Sequence, residues 1–339
     1  MALGRLPSEG SFSTLDVSED AKWVAWLTIE DDGQKLHTAR WESPHGFVEP
    51  RVVTLPCGRR FVDALEVNGP KVTFECDYAG FGEVMLADIE KGTVRQLTRR
   101  HLTTDASFPS AFHRKPRFLS ANEPVYLDEG ALPNGAGEPK CHFVRYVIGA
   151  SSTARSYSSA RVPCDVQFDV SGGRIFYVVP STQEEPDVSS ARFDVMEVPQ
   201  NGDAPRVRCA LSVDYESGDD ERACRVERVK ASTRQQSVAV QFSCAESGSG
   251  PILLCRPDTG EYKSSANDGA EVRMVDVDDD GKIITHNGSL SRVEAITRLH
   301  ALPYFVDKVD PHDVSGFAEW QRAATRLREQ DQGEQDQEK

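Results

Sequence analysis

Apolar and polar positions alternate along most of the chain in short runs, and one phrase keeps returning. "LDVSEDAKWVAWL", from Leu15 to Leu27, is an apolar stretch, a polar turn at Ser18, Glu19 and Asp20, and a second apolar stretch rich in Val and Trp. Period-two alternation on both sides of a polar turn predicts a β-hairpin. Related phrases follow: "LEVNGPKVTFEC" from Leu65, "FLSANEPVYL" from Phe118, "FDVSGGRIFYVV" from Phe168, "RVKASTRQQSVAVQF" from Arg228 and "VDVDDDGKIITH" from Val275. Their starts are separated by 50, 53, 50, 60 and 47 residues.

Each period also holds a second hairpin. "EVMLADIEKGTVRQLT" (83–98) turns at Lys-Gly, "ARFDVMEVPQNGDAPRVRCAL" (191–211) at Asn-Gly, and "PILLCRPDTGEYKSS" (251–265) at Asp-Thr-Gly. Gly, Asn and Asp tolerate the positive φ that tight hairpins need. Two hairpins per period of about 50 residues predict radially stacked blades, because one four-stranded blade cannot bury both its faces alone. The expected fold is all-β: a six-bladed β-propeller of four-stranded antiparallel blades over residues 14–310, after a lead-in at 1–13. Thr14 and "ALPYFVDKV" (301–309) suggest that the chain ends meet in the sixth blade. In the remaining 311–339, "GFAEWQRAATRLREQ" (316–330) predicts an amphipathic helix with Phe317, Trp320, Ala324 and Leu327 on one stripe. The polar tail after it has the composition of a disordered segment.

The pattern resembles the TolB-like six-bladed propellers, with their WD-like repeat. "VMLADIEKGTVRQLT" (84–98) matches the second half of that repeat and "VDVDDDGKII" (275–284) the first. The Asp-Gly turn of the family stands only at Asp280-Gly281; other copies read Glu-Asp-Ala, Asn-Gly-Pro, Asn-Glu-Pro and Gly-Gly. The resemblance implies blades rather than an activity, since one fold serves many functions.

A formal charge of −15 argues against non-specific binding to nucleic acid or anionic membrane, which rewards clustered Lys and Arg. No run approaches the roughly 18 apolar residues of a membrane span, and "MALGRLPSEGSFST" has no apolar signal core. A cytoplasmic protein is expected, or a secreted or periplasmic one if a signal peptide has been removed. The eight cysteines, Cys57, Cys76, Cys141, Cys164, Cys209, Cys224, Cys244 and Cys255, form no CxxC pair and no zinc spacing. Cys76, Cys244 and Cys255 end apolar runs, so reduced, buried thiols are expected, while the even count leaves disulfides open.

There is no GxSxG, P-loop, GxGxxG or HExxH, so no cofactor is expected. "DVDDDG" (276–281) places Asp276, Asp278, Asp280 and Gly281 like the first half of a calcium loop, but the second half is missing: Ile284 and Asn287 stand where ligands would follow. A basic island sets Arg95, Arg99, Arg100, Arg114, Lys115 and Arg117 against Asp105 alone, with Phe108, Phe112 and Phe118 among them. This segment connects the second blade to the third, a suitable docking patch for a protein partner with an acidic segment. The histidines are scattered without ligand spacing, and Asn287-Gly288-Ser289 fits a glycosylation sequon. The expected function is a non-enzymatic interaction or scaffolding module that binds through propeller-face loops, the helix carrying Phe317 and Trp320 being a second place to dock. The alternatives are a hydrolase or lyase, metal-dependent or not, at the channel mouth, and a regulatory propeller beside a separate catalytic subunit.

Overall fold

Every repeat becomes a four-stranded sheet. The computed structural model describes residues 2–302 except for the segments 6–10, 58–63, 99–112, 130–139, 182–189, 215–223, 245–250, 266–271, 278–282 and 288–297 and turn residues 19, 21, 31–32, 43–45, 79–80, 149–152, 201–202 and 233–236; Met1 and residues 303–339 are likewise outside it. After β1 (Ala2–Arg5), blade 1 is β2 (Ser11–Val17), β3 (Trp23–Glu30), β4 (Gly33–Glu42) and β5 (Gly46–Thr54). Blade 2 is β6 (Glu66–Asn68), β7 (Lys71–Tyr78), β8 (Phe81–Asp88) and β9 (Thr93–Gln96). Blade 3 is β10 (His113–Ser120), β11 (Glu123–Glu129), β12 (Lys140–Val147) and β13 (Thr153–Pro163). Blade 4 is β14 (Phe168–Ser171), β15 (Arg174–Pro180), β16 (Ser190–Val198) and β17 (Arg206–Asp214). Blade 5 is β18 (Arg225–Ser232), β19 (Ser237–Ser243), β20 (Ile252–Arg256) and β21 (Glu261–Ser265). Blade 6 is β22 (Val272–Val277), β23 (Ile283–Asn287) and β24 (Arg298–Leu302), with β1 as its fourth strand.

All six expected starts fall on or beside the first strand of a sheet. The N-terminal lead-in is corrected. Residues 1–13 contain all of β1 and the start of β2, and β1 pairs antiparallel with β24, setting Ala2 opposite His300 and Arg5 opposite Arg298. The ring therefore closes through Ala2–Arg5, not through Thr14.

Local chemistry sets the hairpins. In the first, the Ser18 hydroxyl donates to Asp20 Oδ1 at 2.7 Å and accepts from the Trp23 amide at 2.9 Å, which folds the polar triplet back on itself. In the fourth, Gly172 and Gly173 have φ of +56° and +73°, as a two-residue hairpin loop between paired Ser171 and Arg174 requires. The apolar alternation then builds layers between blades. Leu27, Leu36 and Leu55 of blade 1 meet Val72 and Phe74 of blade 2; Phe193 and Leu211 of blade 4 meet Val240 and Phe242 of blade 5. Among the described residues, blades 2, 3 and 4 are thus apolar on both faces, which is what stacking demands.

The cysteine expectation is overturned. All eight cysteines are paired, as Cys57–Cys76, Cys141–Cys164, Cys209–Cys255 and Cys224–Cys244. Cys57–Cys76 and Cys141–Cys164 tie an inter-blade connection to a strand, Cys224–Cys244 ties one to the residue that follows β19, and Cys209–Cys255 joins β17 of blade 4 to β20 of blade 5. Cys76 and Cys255 are buried at strand positions as expected, but each meets a second thiol delivered by the neighbouring segment.

Residues 303–339 form a separate unit outside the described residues, so the helix with Phe317 and Trp320 and the tail are not placed. Thiol titration of the denatured chain without reductant should find none of the eight cysteines. The double substitution Cys209→Ala, Cys255→Ala, which opens a 46-residue separation, should lower the unfolding free energy by about 3 kcal/mol in urea titrations.

Candidate functional site

The first strand of each blade carries one charged residue at the same place in the repeat, flanked by nonpolar residues: Asp16, Glu66, Arg117, Asp169, Lys230 and Asp276 on β2, β6, β10, β14, β18 and β22. Strand alternation places each charge on the side opposite its two neighbours. Five of these side chains are described, and they form one buried cluster. Lys230 Nζ lies 2.9 Å from Asp16 Oδ1 and 3.4 Å from Glu66 Oε2. Arg117 Nε lies 3.4 Å from Glu66 Oε2 and 3.5 Å from Asp169 Oδ1. Lys230 of blade 5 therefore reaches blades 1 and 2, and Arg117 of blade 3 links blade 2 to blade 4.

The acids also hold backbone. Asp16 Oδ2 accepts from the Val67 amide at 2.9 Å, and Asp169 Oδ2 from the Ala231 amide at 2.7 Å, so each carboxylate satisfies the inner strand of the next blade in sequence. Gln241 Oε1 does the same for Met274 of blade 6 at 2.8 Å, and Arg228 donates to the Met274 carbonyl at 3.0 Å. Removing these groups from water is costly, and the carboxyl groups register it. Burial pushes Glu66 up from 4.5 to about 7, with Asp169 and Asp16 adding to the shift and Lys230 and Arg117 opposing it. Burial likewise raises Asp169, against Lys230 and Arg117. The cluster therefore holds a proton near neutral pH.

A second asymmetry concerns the connections. Antiparallel strands alternate in direction, so links leaving the second and fourth strands of a blade emerge at one rim, and those leaving the first and third at the other. The segments 97–112, 130–139, 181–189, 215–224 and 288–297 all belong to the first rim. Among the described strands, no link within a blade on the other rim is longer than 199–205.

This frame locates the residues expected to act. Arg99, Arg100, Phe108 and Phe112 lie in the blade 2 to blade 3 connection, outside the described residues. Arg114 stands on β10 opposite Leu127. Lys115 and Arg117 are corrected: they are buried, not part of a surface patch. Lys115 Nζ donates to the carbonyls of Asp165 and Val166 at 2.5 and 3.0 Å, and Arg117 belongs to the central cluster. β10 begins at His113, five residues before the expected start, and so draws both cations inward. Asp276 lies on β22 opposite Ile284, while Asp278 and Asp280 are outside the described residues. Among the described residues, no three His, Cys, Asp or Glu side chains gather as a metal centre. Sequence reasoning missed the central cluster: Asp16, Glu66, Asp169 and Asp276 stand second in their phrases, but Arg117 precedes its phrase by one residue and Lys230 stands third in its own.

No protein-family model matches the chain, and no curated protein matches it significantly. Solved structures do share its fold. TolB from Acinetobacter baumannii superimposes with a TM-score of 0.51 at 15% identity, over 79% of this chain and 57% of that one. A putative TolB from Agrobacterium tumefaciens gives 0.45 at 13% identity, over 75% and 79%. An acylaminoacyl peptidase from Pyrococcus horikoshii gives 0.47 at 10%, over 81% and 42%. The chain spans little more than half of the first TolB, and the likeness is one of fold: a TolB-like β-propeller.

Two outcomes follow from the cluster. Lys230→Met leaves Asp16 without its cation and Glu66 with Arg117 alone, and should cost about 3–5 kcal/mol in urea unfolding. A carboxyl raised on folding makes the native state bind the extra proton, so its contribution to stability falls as pH rises from about 4.5 through about 7 and levels off above that. The stability difference between the wild type and Glu66→Gln should shift against the wild type as pH rises from 5 through 7, and level off above about 8.

Proposed function

We propose that the protein is a recognition module that docks a protein partner on the rim carrying its long connections, in an oxidising compartment. The observation that carries this reading is the concentration of long links on one rim of a rigid ring, since loops on a rigid scaffold are where recognition concentrates. Links within a blade on the opposite rim are shorter, the longest being 199–205, and offer less to vary. Four disulfides support the compartment, because such bonds persist where the surroundings are oxidising and are rare in the cytosol. This replaces the cytoplasmic expectation.

Within that rim, the connection from blade 2 to blade 3 is the favoured docking segment. Arg99 and Arg100, with Arg114 at the start of β10, favour a partner segment rich in Asp and Glu, and Phe108 and Phe112 supply the aromatic anchors that dominate interface energies. Lys115 and Arg117 take no part, being committed to the interior.

A photo-crosslinking residue placed at 104 should trap a protein from the extracytoplasmic fraction of the source cells, and one placed at Glu90, in a turn on the opposite rim, should not. Equal trapping from both positions, or from neither, would overturn the reading. With that partner purified, Arg99→Glu, Arg100→Glu and Arg114→Glu together should slow association several-fold at low salt and far less at high salt, because ions screen steering. Equal rates at both ionic strengths would remove the basic residues from the account.

A further inference from the structure

The outer wall of blade 3 runs against the charge of the rest of the chain. Residues 139–164 contain no Asp or Glu, the longest such stretch in a chain of net charge −15, and among them stand Lys140, Arg145, Arg155 and Arg161. They fall on β12 and β13, the two outermost strands of their sheet. Register draws the cations together: Arg145 pairs directly with Arg155, Arg161 stands opposite His142, and Lys140 lies opposite Pro163. At about 3.4 Å per residue, the row from Lys140 to Arg145 covers roughly 17 Å of strand. We propose that this wall binds an anionic polysaccharide laid along the β12–β13 pair, held by Lys140, Arg145 and Arg161.

These charges are uncommitted. Lys140 and Arg161 are exposed and Arg145 is half-buried, and among the described residues none of the three has an ion-pair partner. Exposed cations on other blades are matched: Lys22 with Asp20, Lys91 with Asp88 and Arg206 with Asp203. Like charges directly opposite one another in a sheet are destabilising. Arg145 and Arg155 therefore weaken their own hairpin, and an anion lying against the wall removes that repulsion.

Three features select a polysaccharide among anionic ligands. The wall has no apolar anchor of the kind protein interfaces rely on: among the described residues, the exposed large hydrophobics are Val52, Val207 and Tyr262, all on other blades. Nor is β13 an open edge for a peptide strand. Ser156 Oγ donates to the Ser158 carbonyl at 3.0 Å, Ser158 Oγ accepts from the Ala160 amide at 3.1 Å, and the ladder shifts register beside them, a bulge that blunts the edge. Hydroxyls are dense, with six Ser or Thr in 151–159, which suits a ligand itself rich in hydroxyl groups. The overall charge of −15 opposes a nucleic acid or an anionic bilayer. The wall lies on paired strands and not on the long connections, so it stands or falls apart from the docking proposal.

The test uses the full chain and a size-defined heparin fragment as probe, titrated by calorimetry at low and high salt. The fragment should bind at low salt and weaken steeply as salt rises. Lys140→Gln, Arg145→Gln and Arg161→Gln together should weaken it about tenfold or more at low salt and flatten its salt dependence. A control that removes the same charge elsewhere, Lys22→Gln, Lys91→Gln and Arg206→Gln together, should stay within about twofold of the wild type. Arg145→Gln alone should keep or raise the urea midpoint, since it relieves the pair with Arg155, which separates loss of the site from loss of the fold. No binding of the fragment, or equal losses in the two triple variants, would overturn the proposal. So would polyglutamate or phosphatidylserine vesicles binding as tightly as heparin with the same dependence on the three residues, since the wall would then belong to an acidic peptide or a bilayer.

Discussion

Ring closure is the constraint on which the rest depends. A sheet with two apolar faces has no surface to spare and must be covered on both sides. The last sheet gains its fourth strand only when Ala2–Arg5 returns to pair with Arg298–Leu302. The first and last described strands of the chain are thereby locked in one sheet, and every inter-blade layer between them is held under the same closure. Cys209–Cys255 adds a covalent tie between two blades, while the other three disulfides pin connections against the strands they serve.

Closure also explains the polar centre. Six inner strands converge on the axis, and a wholly apolar axis would leave their edge amides without partners. The carboxylates of Asp16 and Asp169 meet that need by accepting from Val67 and Ala231, and Lys230 and Arg117 then balance the acids across the channel. Burial at this centre raises Glu66, and the neighbouring Asp169 and Asp16 add to the shift that Lys230 and Arg117 oppose. The raised Glu66 carboxyl takes up a proton near pH 7, which makes the centre of the ring sensitive to pH.

Much of the architecture was legible because the hairpin phrase repeats with its turn chemistry intact. The positions of Leu15, Leu65, Phe168 and Val275 needed only the pattern of apolar neighbours around a polar turn. What escaped is what closure brings together. Cys209 and Cys255 sit on different blades, and nothing in their spacing marks them as neighbours. Lys115 and Arg117 looked like part of a basic loop because β10 was taken to start at Phe118; its true start at His113 carries them to the interior. Four of the central acids stand second in the phrase, but only strand register and a common axis bring Arg117 and Lys230 to Asp16, Glu66 and Asp169.

Hydrogen exchange of the closing sheet tests the closed ring most directly. In the intact chain, the amides of β24 that pair with β1 should exchange as slowly as those of the central strands of blades 2 and 5, opening only with global unfolding. Deleting residues 1–5 should speed exchange in β24 and then in the faces of blades 1 and 6, while the interior of blade 3 changes least. Equal protection of β24 with and without residues 1–5 would contradict the closed ring.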